Sequence, residues 1–159
     1  MRRAISILAA VGLLAALAPA ALATTTRVPY SCRTVRTMEV DGRQWMEGTV
    51  LHTRGWQATY TATGSAICAG TTRVVVNYNL DLATMTGSMT FTYDEQLASG
   101  TGGIAGTAVT EFDLVDFIWQ GSTVGHGYGD LEGWQTRGTI TELFDDTVVE
   151  SGVAFLPGS

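Results

Sequence analysis

Arg73–Leu80 reads RVVVNYNL. Taken in steps of two, Val74, Val76, Tyr78 and Leu80 fall on one side of the chain. Arg73, Val75, Asn77 and Asn79 fall on the other. An apolar face opposed to a largely polar one is the pattern of a half-buried β-strand.

Similar segments recur on both sides of this stretch. Strands are expected at Thr34–Val40, Gln44–Thr53, Gln57–Thr63, Gly87–Tyr93, Ile104–Thr110, Phe117–Tyr128 and Trp134–Phe144, with a last one at Thr147–Phe155. Turn signals separate them at Asp41-Gly42, Arg54-Gly55, Asp81–Thr86, Ser99–Gly103 and Gly129–Gly133. Threonine occurs 24 times, and no proline falls between Tyr30 and Leu156. Proline removes a ladder donor, so its absence suits uninterrupted sheet. Only Thr110–Phe117 admits a turn of helix as well as a strand. Short connections between about eight strands predict an all-β domain with antiparallel meander pairing. Its form is a single barrel, with a β-sandwich as the alternative.

The chain begins with a segment of another kind. Arg2 and Arg3 precede the apolar run Ile5–Ala18, and Ala21-Leu22-Ala23 supplies small residues for cleavage. This is the three-part form of a secretory signal peptide, expected to be cut after Ala23. Residues 1–23 are therefore set apart from one domain at 24–159, and the product is expected outside the cell or in a periplasm. No second apolar span follows, so no membrane span is expected in the mature chain. Seven Arg then face fifteen Asp and Glu, a formal charge of −8, and lysine is absent. Such an acidic surface disfavours nucleic acid as a partner.

Gly125–Gly138, GHGYGDLEGWQTRG, concentrates glycine and titratable residues. A dinucleotide fingerprint fails there, because Asp130 or Glu132 stands where the third glycine is required. WQTRGTITE follows and reads as a strand, so Gly127, Gly129 and Gly133 are expected to shape a structural bend.

Extended to Thr139, this stretch resembles the glycine hairpin of the allene oxide cyclase-like barrels, which include dirigent proteins. The matching elements are Gly127, Gly129, Gly133 and Arg137-Gly138. LHTRG at Leu51–Gly55 and VVVNYNLDLATMTGSMTFT also resemble small exported bacterial proteins of this barrel type. The resemblance implies an eight-stranded antiparallel barrel with an apolar cavity and no cofactor. No catalytic residue of the cyclases or dirigents is carried over, because none aligns here one by one.

Chemistry-bearing residues are sparse. His52 and His126 are the two histidines, too few for a zinc site. Asp130 with Glu132 and Asp145 with Asp146 are carboxylate pairs of the sort turns carry. DLEG lacks the ligand count of a calcium loop, and no GxSxG occurs. Trp45, Trp56, Trp119 and Trp134 suit barrel core or rim. In Ser122–Tyr128, Val124, His126 and Tyr128 share a face, and His52 and Arg54 share one with Val50. If those faces point inward, His52, Arg54, His126 and Glu132 form a candidate pocket in an apolar lumen. The expected function is a barrel that binds a small apolar ligand or a partner without catalysis. The alternatives are a cofactor-free cyclase or isomerase and a structural surface or matrix protein. Neither a metal nor a cofactor is expected.

Cys32 and Cys68 both fall in the exported part, and such a pair is expected as a disulfide. Both cysteines of the unreduced mature protein should resist alkylation by a thiol reagent. Reduction should lower unfolding stability by roughly 3–4 kcal/mol in denaturant titration.

Overall fold

The computed structural model describes residues 25–143 and 146–156, so the proposed signal segment and Asp145 lie outside the described residues. Nine strands form one sheet: β1 (Thr26–Val40), β2 (Arg43–Glu47), β3 (Val50–Gly64), β4 (Gly70–Asp81), β5 (Thr86–Leu97), β6 (Gly102–Asp113), β7 (Ile118–Gly129), β8 (Gln135–Glu142) and β9 (Thr147–Leu156). No helix occurs among the described residues. From β3 to β9 each strand pairs antiparallel with the next. β1 closes the ring, pairing with β9 along Thr26–Val35 and with β3 along Cys32–Val40. The result is an eight-stranded barrel, not a sandwich, with β2 as an extra strand held by β3 alone.

Side chains alternate as the pattern of β4 predicts. Thr72, Val74 and Val76 are buried, while Arg73, Val75 and Asn77 face out. The inner faces of neighbouring strands add Phe91, Tyr93, Ile104, Ala108, Trp119 and Ile140 to one core. A second cluster at the end that carries the chain's first strand residues joins Tyr30, Cys32, Cys68 and Ala154. There Cys32 and Cys68 stand at disulfide distance, with Cα atoms 6.2 Å apart. They tie β1 to the β3–β4 connection and plug that end.

Two local expectations are corrected, and one left open is decided. Gln44–Thr53 is not one strand, because Gly48 takes φ +61° and turns the chain from β2 into β3. Arg54-Gly55 is not a turn. The register shifts between Arg54 and Trp56, so one extra residue is absorbed as a bulge inside β3. At Thr110–Phe117 the strand alternative holds as far as Asp113. Phe112 pairs with Trp119 across β6 and β7. The Asp113 carboxylate then accepts hydrogen bonds from the Val115 and Asp116 amides at 2.8 and 3.1 Å, which ends the strand in a side-chain-stabilised turn.

The glycine-rich stretch is the β7–β8 connection. Gly129 and Gly133 take φ +59° and +82°. A Cβ on Gly129 would lie 2.1 Å from the Thr101 carbonyl oxygen, so the position excludes side chains both by conformation and by space. Gly129→Val should therefore lower unfolding stability by roughly 2 kcal/mol or more, read as a shifted urea midpoint.

Candidate functional site

The lumen of the barrel is not filled by side chains throughout. A cavity of about 310 Å³ opens at the end where β8 turns into β9. Its wall is largely apolar, built from Val74, Val76, Met89, Phe91, Trp119 and Ile140. Trp56, Tyr60 and Tyr78 add aromatic surface. Phe91 and Trp119 stack with centroids 6.5 Å apart, and Tyr78 meets Phe112 edge to face at 6.4 Å.

Two carboxyl groups, Glu95 and Glu150, line both this cavity and a smaller void on the side of the cysteine pair. They form the floor. Glu95 is 5 % exposed, and Thr72 Oγ1 donates to its Oε1 over a long 3.5 Å. Tyr30 Oη and Thr123 Oγ1 both donate to Glu150 Oε1, each at 2.6 Å. Burial, reinforced by the charge of Glu150, pushes the Glu95 carboxyl up to about 8. Desolvation, again with Glu150 beside them, raises the Tyr30 and Tyr93 hydroxyls well above the ordinary phenol value. Tyr60 nearer the rim is pushed up to about 12, mainly by burial.

Small residues on the inner face make room for this floor. A Cβ on Gly125 would lie 2.6 Å from Tyr93 Oη and 2.7 Å from Thr136 Oγ1. A Cβ on Gly138 would lie 2.6 Å from Tyr30 Oη. Any larger residue there would displace the tyrosines. Trp119 Nε1 is buried without a hydrogen-bond partner, and the Tyr93 hydroxyl has the Thr136 and Thr123 hydroxyls beside it. A buried polar atom left without a partner costs about 1–3 kcal/mol.

The rim is charged. Arg36 pairs with Glu39 at 3.0 Å and with Asp146 of the β8–β9 turn, and its guanidinium lies 5.8 Å from the centre of the Trp56 ring. Glu142 also borders the opening.

The residues singled out from sequence lie elsewhere. Val124, His126 and Tyr128 occupy the outer face of β7, while Thr123 and Gly125 point inward. Glu132 is exposed on the β7–β8 turn. His52 and Arg54 do meet, but outside the lumen. His52 Nδ1 lies 2.7 Å from Asn79 Oδ1, which also accepts from Arg54 Nη2 at 2.8 Å. Trp45 stacks on the His52 ring at 5.1 Å, with the Arg54 and Arg43 guanidinium groups at 5.4 and 5.3 Å from its centre. Among the tryptophans, Trp56 and Trp119 reach the cavity. No cluster of three metal-ligating side chains occurs among the described residues.

Glu95 and Glu150 were not singled out, yet a signal for them exists. Phe91, Tyr93 and Glu95 share one face of β5, and Val148, Glu150, Gly152 and Ala154 share one face of β9. A carboxylate on the apolar side of an alternation marks a buried charge. The expected strand at Gly87–Tyr93 stopped two residues short of the first one.

Comparison with known proteins matches no family model, no curated protein and no solved structure.

The raised Glu95 carboxyl has a consequence for stability. The unfolded chain titrates near 4.5 and the folded one near 8, so folding favours the protonated form. The contribution is complete below about pH 4.5 and is lost as pH rises through 8, at up to about 1.4 kcal/mol per pH unit. Wild type should therefore lose more stability than Glu95→Gln between pH 5 and pH 8.5. Thermal melting of the two proteins across that range measures the difference.

Proposed function

We propose that this protein is a binding barrel for one small, largely apolar ligand held in the lumen. The observation that carries the reading is the unfilled, aromatic-lined cavity of about 310 Å³, open at one end and closed at the other by a polar floor. A barrel of eight strands is just wide enough to be packed solid or to hold one small ligand. A volume near 300 Å³ lies at the lower end of small-molecule pockets, which combine apolar walls with a few converging polar groups. Trp119 Nε1, buried without a partner, belongs to a cavity-lining residue and suits a ligand with a polar atom of its own. A purely structural barrel would gain stability by filling the space. Export through the proposed signal segment would place this binding outside the cytoplasm.

The resemblance to the allene oxide cyclase-like barrels fits this reading, since it implies an apolar lumen. Fold alone does not assign an activity. A second reading, a cofactor-free isomerase, draws on the carboxyl pair at the floor, where two acids in unlike surroundings could divide acid and base roles. It requires a ligand that is consumed.

The neutral fluorophore 1-aminoanthracene tests the first reading. It should brighten on binding at one site per chain, and Val76→Trp, which places an indole in the cavity, should abolish the response. Absence of a saturable signal in the wild type, or an undiminished one in Val76→Trp, would remove the lumen as the binding site.

A further inference from the structure

The geometry points to an organic cation as the ligand: an apolar or aromatic body carrying one protonated amine, seated with the ammonium between Glu95 and Glu150. This rests on the reading of the lumen as a binding site and adds the charge of what binds there.

Three independent observations lead to it. The first is the balance of charge. Four carboxyl groups line the cavity, Glu39, Glu95, Glu142 and Glu150, against one cation, Arg36. Arg36 is engaged by Glu39 and by Asp146 at the rim. An anionic ligand entering the lumen would meet carboxyls at both ends and no uncommitted cation among the described lining residues. A cation would meet complementary charge throughout, in a water-poor space where such interactions strengthen.

The second is the floor itself. Glu95 is buried with one long contact from Thr72, and no basic side chain faces it among the described lining residues. Both hydrogen bonds to Glu150 converge on Oε1. Buried carboxyls are ordinarily paired with a cation or fully hydrogen-bonded. Glu95 is buried and Glu150 half-buried, both have acceptor capacity left over, and an ammonium brings three donors. In the empty cavity burial and the neighbouring Glu150 favour the protonated Glu95 carboxyl. An arriving ammonium takes that proton's place, and the proton passes to solvent.

The third is the wall. Trp56, Tyr60, Tyr78, Phe91, Tyr93 and Trp119 surround the space above the floor. Aromatic faces attract cations as well as apolar surface. Tyr93 is 6 % exposed, and its hydroxyl lies beside the two acids, where it can orient the same ligand.

Three probes of one shape and different charge decide the matter: 4-phenylbutylamine, 4-phenylbutan-1-ol and 4-phenylbutanoate. Each is titrated against the wild-type protein at pH 7, read by tryptophan fluorescence and by displacement of 1-aminoanthracene. The amine should bind about tenfold or more tighter than the alcohol, as a charge-assisted contact replaces a neutral one, and the carboxylate should bind weakest. In Glu95→Gln the preference for amine over alcohol should shrink several-fold. In Glu111→Gln, which removes an equal charge from the outer face of β6, it should persist. If 1-aminoanthracene binds but the alcohol or the carboxylate equals the amine, the cation assignment fails and the binding reading stands. If neither 1-aminoanthracene nor any of the three binds, both fail. The wild-type series decides the assignment even if Glu95→Gln does not fold.

Discussion

Everything described here depends on β1 forming hydrogen bonds on both of its edges. It meets β9 along its first ten residues and β3 along its last nine, the two stretches overlapping at Cys32–Val35. Without it the sheet would be an open meander with two exposed edges, which is an invitation to aggregate. With it the edges largely vanish, the inner faces look at one another, and a lumen exists. The cysteine pair sits in the same overlap, tying β1 to the β3–β4 connection. A covalent link there removes unfolded-state freedom from the closure that brings distant parts of the chain together.

Closure also explains why acids can be buried. An eight-stranded ring encloses a narrow interior, and its inner face is set by every second residue of every strand. Glycine at 125 and 138 lets Tyr93 and Tyr30 lie across the floor. The two tyrosines, with Thr72, Thr123 and Thr136, build a polar layer under an apolar wall. Glu95 and Glu150 belong to that layer. Glu95 is buried and Glu150 half-buried, and the burial of Glu95 opposes stability, because removing a carboxyl group from water costs several kcal/mol unless it is neutralised or paired. Raising the Glu95 carboxyl relieves part of that cost.

The outer surface tells a different story. Its cluster of Arg43, Trp45, His52 and Arg54 is satisfied within itself by stacking and by Asn79. The cluster braces the β2–β3 extension against β4, which gives β2 a hold beyond its five ladder residues. His52 is thus a structural partner outside the lumen, and its polar neighbours are accounted for without a ligand.

The amino-acid sequence by itself determined the class and the parts of this protein. Period-two alternation and the absence of internal proline imply antiparallel sheet, because side-chain direction along a strand is a local property. The pairing of Cys32 with Cys68 was legible from their number, and the bend at Gly129–Gly133 from composition. What only the tertiary structure decided was which face of β7 looks inward. Both faces of Ser122–Tyr128 carry small or mixed residues, so local pattern left the choice open, and the register with β6 and β8 settled it by turning His126 out and Thr123 in. The meeting of Glu95 and Glu150 was equally invisible along the chain. They stand 55 residues apart on β5 and β9, strands that do not pair, and the closed ring brings them together across its interior.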